Sequence, residues 1–128
     1  MILTIPASAG EVIDKITILE IKLARIADAA KRANVSREHE ALAAAWRHAV
    51  PDDAPLAELL AGLREVNETL WDIEDEIREH ERKADFGAEF VRLARAVYHT
   101  NDRRAALKRE INTRLGSALV EEKSYAAY

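Results

Sequence analysis

Two cations occupy a side of a helix that should be apolar. In the segment "VYHTNDRRAALKREIN", residues 97–112, Arg104 and Lys108 lie one helical turn apart on the inward face, with Asn101 and Asn112 at its edge. Arginine and lysine side chains bind phosphate or carboxylate oxygens, and asparagine amides add hydrogen bonds. The pattern therefore indicates a candidate site for a small anionic ligand.

Polar side chains also interrupt the apolar faces of two other long helices. Glu20 falls inside the apolar arc of the first helix, and Asn67 and Glu74 fall inside that of the third. A short turn makes the third and fourth helices an antiparallel hairpin, which brings Arg104 beside Asn67. In a shared pocket, Arg104 and Lys108 would bind the anion, and Glu20 or Glu74 would be the catalytic acid–base candidate.

Two structural explanations of the same cations remain open. Long arginine and lysine stems can run along an apolar surface and place their charged ends in water. Alternatively, the core ends near Val97, the helix breaks at "TND", and Asp102 caps a new helix. Either explanation would make Arg104 and Lys108 ordinary solvated residues.

A row of carboxylates offers a second kind of chemistry. The segment "LWDIEDEIREHE" places four acids at i, i+3, i+4 and i+7 on one helix face: Asp72, Asp75, Glu76 and Glu79. Carboxylate oxygens are ligands for Mg²⁺, but a row of this kind is usually a solvated outer face. We therefore predict no metal and no cofactor, and keep these four residues as weak metal candidates.

Composition narrows the class of protein. The chain has 128 residues, 48% of them hydrophobic and 33% charged, and a net charge of −4, so we expect no nucleic-acid partner. No apolar run is long enough to cross a membrane, and "MILTIPASAGEV" lacks the features of a signal peptide. Cysteine is absent, which suits a reducing compartment. These features predict a cytoplasmic protein with one helical domain over residues 1–128.

The elements that must position these side chains are helices. Apolar residues recur at alternating spacings of three and four, glycine and proline are rare, and the Ser8/Glu11 pair has the spacing of a capping box. The sequence predicts an extended N-terminal arm, a helix from Ser8 to about residue 32, and helices over about 36–49, 55–83 and 86–115, the last ended by Gly116. The predicted fold is an all-α antiparallel bundle of three long helices plus one short helix.

A second apolar side on the first helix predicts association between copies. Ile18 and Ile21 lie opposite the main apolar arc of that helix. A helix that is apolar on two sides is either central in the fold or part of a second interface. For so small a domain, we predict a homodimer.

Four strings give the chain a family resemblance. "GEVIDKITILEIK", "LWDIEDEIR", "NDRRAALKREIN" within "VYHTNDRRAALKREIN", and "EEKSY" within "GSALVEEKSY" follow one another along nearly the whole sequence. In this order they resemble a family of uncharacterised small bacterial proteins, a domain of unknown function. The resemblance implies a bacterial protein and implies no activity and no site residues.

The first helix is also similar, more distantly, to that of the all-helical chorismate mutases. "EVIDKITILEIKLARIADAAKR" shares their "ID" start, apolar run and interior arginine. Those enzymes hold a dicarboxylate between helices, so the similarity implies that Arg25 would bind a ligand, with Arg104 and Lys108 as further candidates. Their later motifs are not recognisable in this chain.

Two hypotheses about function follow from the residues. The first is a noncatalytic binding or assembly module, whose inward polar groups fix the register of the helices and the choice of partner. The second is a small-molecule enzyme or an anion-binding protein, with a polar pocket between the helices.

Overall fold

Four helices and no strands make up the chain. The computed structural model describes all of residues 1–128. Its helices are α1 (Ala9–Arg25), α2 (Ala29–Ala49), α3 (Ala57–Arg82) and α4 (Ala88–Leu115). The predicted all-α bundle is confirmed, and residues 1–7 form an extended, exposed arm before α1.

The boundary between the first two helices differs from the prediction. The first helix was expected to continue to about residue 32, but α1 ends at Arg25. Asp28 begins α2 by accepting the backbone N–H of Lys31 at 2.8 Å, and the Arg32 guanidinium donates to the carbonyl oxygen of Ile26 at 3.1 Å. These local bonds satisfy backbone groups at the break, so α2 has 21 residues and is not the short helix that we expected.

Helix α1 lies at the centre of the bundle. It packs against α2, α3 and α4, whereas α2 packs against α1 alone. The fully buried apolar cluster contains Ile13, Ile16, Leu63 and Ile111. Helix α2 buries none of its residues completely, although Leu42 and Trp46 pack partly against that cluster. The three helices that carry the candidate site therefore also form the core.

Helices α3 and α4 form the predicted antiparallel hairpin. Gly62 faces the side chain of Leu107, and the Arg114 guanidinium donates to the carbonyl oxygen of Pro55 at 2.9 Å. Helix α4 continues without interruption through "TND", so a break with Asp102 as a new cap is wrong. Continuous helix keeps Arg104 and Lys108 on the side of α4 that faces α1.

Candidate functional site

The centre of the site is a carboxylate that the sequence prediction missed. Asp14 lies on α1 and is completely buried, with 0% of its surface exposed. Gly10, Thr17 and Ile21 are buried on the same helix, at spacings that place all four on one side of α1. An ionised carboxylate in this position needs hydrogen-bond donors and a counter-charge, because burying an isolated charge is expensive.

Arg104 supplies the counter-charge for Asp14. Its Nε lies 3.0 Å from Oδ1 and 3.1 Å from Oδ2 of Asp14, and its Nη2 also donates to Oδ2. Asn67 Nδ2 donates to Asp14 Oδ1 at 2.8 Å. One carboxylate on α1 therefore connects α1 to both α3 and α4. Asn67 and Arg104 are close to each other, as predicted, but Asp14, which we had not predicted there, lies between them.

Lys108 is surrounded by three carboxylates. Its Nζ lies 2.7 Å from Glu11 Oε2, 2.7 Å from Glu121 Oε2 and 4.0 Å from Asp14 Oδ2, while only 8% of its side chain is exposed. Glu11 comes from the first turn of α1, where it was expected to complete a capping box. Ser8 accepts the backbone N–H of Glu11 as predicted, but the Glu11 carboxylate turns to Lys108 instead.

The pKa values of both cations reflect these partners. Hydrogen bonding to Asp14 raises the pKa of Arg104 above its ordinary value, and this effect outweighs burial. Burial alone would lower the pKa of Lys108, but hydrogen bonds to Glu11 and Glu121 outweigh it and raise that pKa. Both side chains are therefore held in their charged forms by protein carboxylates.

Asn112 belongs to a helix contact beside this cluster. It is buried, and its Oδ1 accepts the backbone N–H of Gly10 at 2.6 Å. A Cβ atom on Gly10 would lie 2.5 Å from the carbonyl oxygen of Lys108, so only glycine lets α1 approach α4 this closely. Asn112, which we predicted as a ligand-binding residue, already satisfies a backbone donor near the start of α1.

Asn101 borders an open groove between α1, α3 and α4, and with Arg104 it also borders the small recess beside Lys108 and Glu121. The groove has a volume of about 540 Å³, and Asn67, Trp71 and Ile18 also line it. The Asn101 side chain has no hydrogen-bond partner within the protein. Arg104 therefore stands between two regions: the groove with Asn67 and Asn101, and the buried cluster with Lys108.

The two predicted acid–base residues lie apart from this cluster. Glu20 is half-exposed and pairs with Arg64 at 3.0 Å and with His39 at 3.4 Å. Glu74 lines the groove but forms an ion pair with Arg78 one turn along α3. Neither carboxylate contacts Arg104 or Lys108. The groove brings Glu74 together with Asn67, Asn101 and Arg104, whereas Glu20 and Lys108 lie outside it.

The acidic row on α3 is divided among arginine and lysine partners. Asp72 pairs with Arg25 at 2.5 Å, and the Arg25 guanidinium also lies 5.9 Å from the centre of the Trp71 ring. Hydrogen bonds from Arg82, and then from Lys83, lower the pKa of Glu79 to about 2. No group of three or more histidine, cysteine, aspartate or glutamate side chains is arranged to hold a metal ion, and Asp75 and Glu76 form no ion pair.

The chain after α4 completes the cluster. Gly116 ends α4 in a left-handed conformation with φ of 62°, as its predicted C-terminal position requires, and the chain then turns back along the helix. Residues 117–128, called the tail below, bring Glu121 to Lys108 and Glu122 to Arg109. The string "EEKSY" contributed only to the family resemblance, because it has no periodicity that could predict its place.

The fold and the site together define the class of protein: it is all-helical, with a buried ion-pair network between three helices. Residues 3–128 match the family described as "Family of unknown function (DUF6165)". The chain belongs to this family, which confirms the resemblance to an uncharacterised family. No curated protein and no solved structure matches the chain. None of its helices is long and apolar enough to cross a membrane.

Proposed function

We propose that this protein is a noncatalytic binding and assembly module, in which a polar network fixes the positions of three helices. The observation that carries this proposal is the pairing of fully buried Asp14 with Arg104 and Asn67. A polar contact of this kind specifies register because any shift between helices would leave a buried charge without a partner. The inward polar residues then serve the fold and leave the outer surfaces for partners.

The charge balance of the cluster supports this proposal over a buried anion site. Three carboxylates, those of Asp14, Glu11 and Glu121, surround the two cations Arg104 and Lys108. The cluster carries one formal negative charge in excess, which repels a phosphate or carboxylate ligand. The positions of Glu20 and Glu74, each beside an arginine, add no free acid–base group to it.

Two features outside the cluster support an assembly role. Helix α2 buries none of its residues completely and contacts only α1, so most of its surface is free for a partner. The N-terminal arm exposes Met1, Ile2, Leu3 and Ile5, each by more than 70%. An apolar arm of this kind gains from burial against another protein surface. A homodimer, a single domain, a bacterial source and a cytoplasmic location remain predictions within this proposal.

The proposal is tested by the effect of anions on thermal unfolding. We expect phosphate and citrate to leave the melting temperature of the wild type unchanged relative to sodium chloride of equal ionic strength. A bound anion would instead stabilise the folded state by about 2.7 kcal/mol at a concentration one hundred times its dissociation constant. A specific rise with either anion that persists in Asn101→Leu, the groove variant described below, would overturn the purely structural role of the cluster.

A second candidate function is binding of a small molecule in the groove. The observation that favours it is Asn101, a half-buried amide without a protein partner, beside the apolar surfaces of Trp71 and Ile18. Ligand sites commonly have volumes of about 300–1,000 Å³, and the groove lies in that range. Its lining combines three apolar residues with a larger number of polar and charged ones.

The variant Asn101→Leu separates the groove from the buried cluster. It removes the free amide without touching the contacts between Asp14 and Arg104. If a citrate-dependent rise in melting temperature appears in the wild type and disappears both in Asn101→Leu and in Trp71→Ala, which lines the groove alone, the ligand binds in the groove. If the rise persists in Asn101→Leu, the groove is not the site.

A further inference from the structure

The tail follows α4 back toward its start. Ser117 donates its backbone N–H to the carbonyl oxygen of Asn112 at 2.9 Å, which completes the reversal after Gly116. Further along, Glu121 lies beside Lys108, and Tyr128 lies beside Tyr98. Later residues of the tail thus contact earlier residues of α4, so the two segments run in opposite directions.

Opposite charges face each other along this contact. Glu121 Oε2 lies 2.7 Å from Lys108 Nζ, and Glu122 Oε2 lies 2.5 Å from Arg109 Nη2. Lys123 in turn lies 3.7 Å from Asp102 on α4. Two acids followed by a lysine in the tail therefore meet two bases and then an aspartate nearer the start of α4.

An aromatic contact completes the match near the middle of α4. The Tyr128 ring centre lies 5.2 Å from that of Tyr98 and 4.7 Å from that of His99, in an edge-to-face arrangement with His99. The Tyr128 hydroxyl donates to the Asp102 carboxylate, which raises the pKa of Tyr128. Side chains at two separated positions of the tail, one acidic and one aromatic, thus have defined partners on the helix.

The tail itself is held loosely. No backbone-to-backbone hydrogen bond joins residues 118–128 to the rest of the chain. Tyr125 and Tyr128 are 85% and 74% exposed, and the Glu122 side chain is 70% exposed. Exposed ion pairs contribute little to stability, so the tail can leave α4 without unfolding the bundle. The helix beneath it stays fixed, because Lys108 is buried and is also held by Glu11.

We propose that the side of α4 formed by Tyr98, His99, Asp102, Lys108 and Arg109 is a peptide-binding surface, which the tail occupies within its own chain. Its partner is a flexible peptide segment of another protein, with two adjacent acidic residues and an aromatic residue about six positions later, the spacing of Glu122 and Tyr128 in the tail. This assignment names the partner of the binding module proposed above and rests on that proposal.

The chemistry of the surface defines this partner. Lys108 and Arg109 donate to the two carboxylates, of which the first reaches a buried ammonium group and the second an exposed guanidinium. Tyr98 and His99 offer the edges and faces of two rings to the aromatic side chain. Because the tail already meets these requirements, it competes with the partner and lowers the apparent affinity of the surface.

The experiment uses a fluorescent synthetic peptide with the sequence SALVEEKSYAAY, titrated with full-length protein and followed by fluorescence anisotropy. The receptor is either the wild type or Glu122→Lys/Tyr128→Ala, in which the attached tail is weakened at two exposed positions. A tethered segment has an effective concentration on the order of 1 mM. For a peptide with a dissociation constant on the order of 0.1–1 mM, we expect the tail-weakened variant to bind about two- to tenfold more tightly than the wild type.

Two controls keep the result specific. A peptide that carries E121K and E122K should not bind either protein. Adding Arg109→Glu to the tail-weakened variant should abolish binding of the original peptide, since Arg109 is exposed and its replacement leaves the buried cluster intact.

The proposal is overturned if the peptide fails to bind the tail-weakened variant, or if it binds the wild type equally well. Binding that survives Arg109→Glu would also overturn it. These outcomes leave the anion test of the buried cluster unaffected, so failure of the peptide site can be distinguished from failure of the module proposal.

Discussion

The backbone N–H of Gly10 donates to the Asn112 side-chain oxygen at 2.6 Å, where the backbones of α1 and α4 approach closely. The first N–H groups of a helix have no partner within the helix, and Asn112 supplies one from a neighbouring helix. The start of α1 is thereby tied to the end of α4. Asn112 acts at this contact as a structural acceptor, although its residue type and spacing first suggested ligand binding.

Replacing Asn112 with alanine should destabilise the fold. The change Asn112→Ala leaves the buried N–H of Gly10 without an acceptor, which costs about 1–3 kcal/mol. Urea unfolding followed by circular dichroism measures the difference. Thr113→Ala is the matched control, because Thr113 is exposed and its hydroxyl bonds only to the carbonyl oxygen of Arg109 in its own helix. Equal effects of the two changes would contradict the role of Asn112.

Adding one methyl group at Gly10 should separate α1 from α4. A Cβ at this position would lie 2.5 Å from the Lys108 carbonyl oxygen, and backbone cannot yield as a flexible side chain does. We expect Gly10→Ala to lower the free energy of unfolding by at least about 1–3 kcal/mol.

Gly62→Ala provides the comparison for the same substitution in a helix. Its Cβ would lie 3.4 Å from the end of the Leu107 side chain, which can move. Alanine also gains about 1 kcal/mol of helix propensity over glycine. Gly62→Ala should therefore stay within about 1 kcal/mol of the wild type in the same urea experiment, and a loss as large as that of Gly10→Ala would argue against the close approach of α1 to α4.

Asp14 and Arg104 should behave as a coupled pair. In Arg104→Met the buried carboxylate of Asp14 keeps only Asn67 and, at 4.0 Å, Lys108 as partners. We therefore expect the free energy of unfolding to fall by about 3 kcal/mol, which is the lower end of the range for a broken buried ion pair. In Asp14→Asn/Arg104→Met the buried negative charge is also gone. The double variant should recover part of that loss, with a coupling of about 0.5–3 kcal/mol in a double-mutant cycle. Strictly additive effects would rule out the pairing.

The raised pKa of Lys108 predicts a loss of stability at alkaline pH. Because its pKa in the folded state lies above the ordinary value of 10.5, the ammonium contributes its full stability below that pH. The contribution disappears as pH rises through the folded-state pKa. Glu121→Gln removes one of the carboxylates that raise this pKa, so its alkaline loss of stability should be smaller than that of the wild type and complete at a lower pH.

This comparison is made by urea unfolding between about pH 9 and pH 12, in a background of Tyr128→Phe. The background keeps the aromatic ring but removes the phenol, whose pKa is also raised. Identical alkaline profiles with and without Glu121 would show that this carboxylate does not stabilise the Lys108 ammonium.

The exposed arm provides a test of the predicted homodimer. If the apolar side chains of the arm are buried between copies, Ile2→Lys/Leu3→Lys should shift the sedimentation coefficient from dimer to monomer at equal protein concentration. Ala7→Lys, at another exposed position of the arm, is a control for added charge alone. A wild type that sediments as a monomer at all concentrations would refute the dimer.

The sequence contained enough information to predict the fold, because apolar residues recur at helical spacing and glycine and proline, which interrupt helices, are rare. It also placed Asn67 near Arg104, since a short turn fixes the register of a helical hairpin. The break after Arg25 was missed because the apolar repeat continues across it, and only the local bonds of Asp28 and Arg32 end the helix.

Asp14 was missed although a signal for it existed. The second apolar side of α1, with Ile18 and Ile21, was taken as evidence for a dimer, yet Ile21 is 2% exposed and lies inside the bundle. Asp14 lies four residues before Ile18 and shares this side. A central helix must be apolar on two sides, so an acid between such residues has to find an inward partner. The tail could not be placed, because side-chain pairing without periodicity leaves no pattern in the sequence.

The attachment of α2 has a consequence for how the molecule opens. Since α2 packs on α1 alone and buries no residue fully, its detachment exposes the partly buried faces of Leu42 and Trp46 and the side of the core cluster that they cover, but leaves α1, α3 and α4 together. The free energy of that opening lies below that of global unfolding, which must also separate Asp14 from α3 and α4. Backbone amides of α2 therefore exchange with solvent through a local event, while those around Asp14 exchange only when the whole bundle opens.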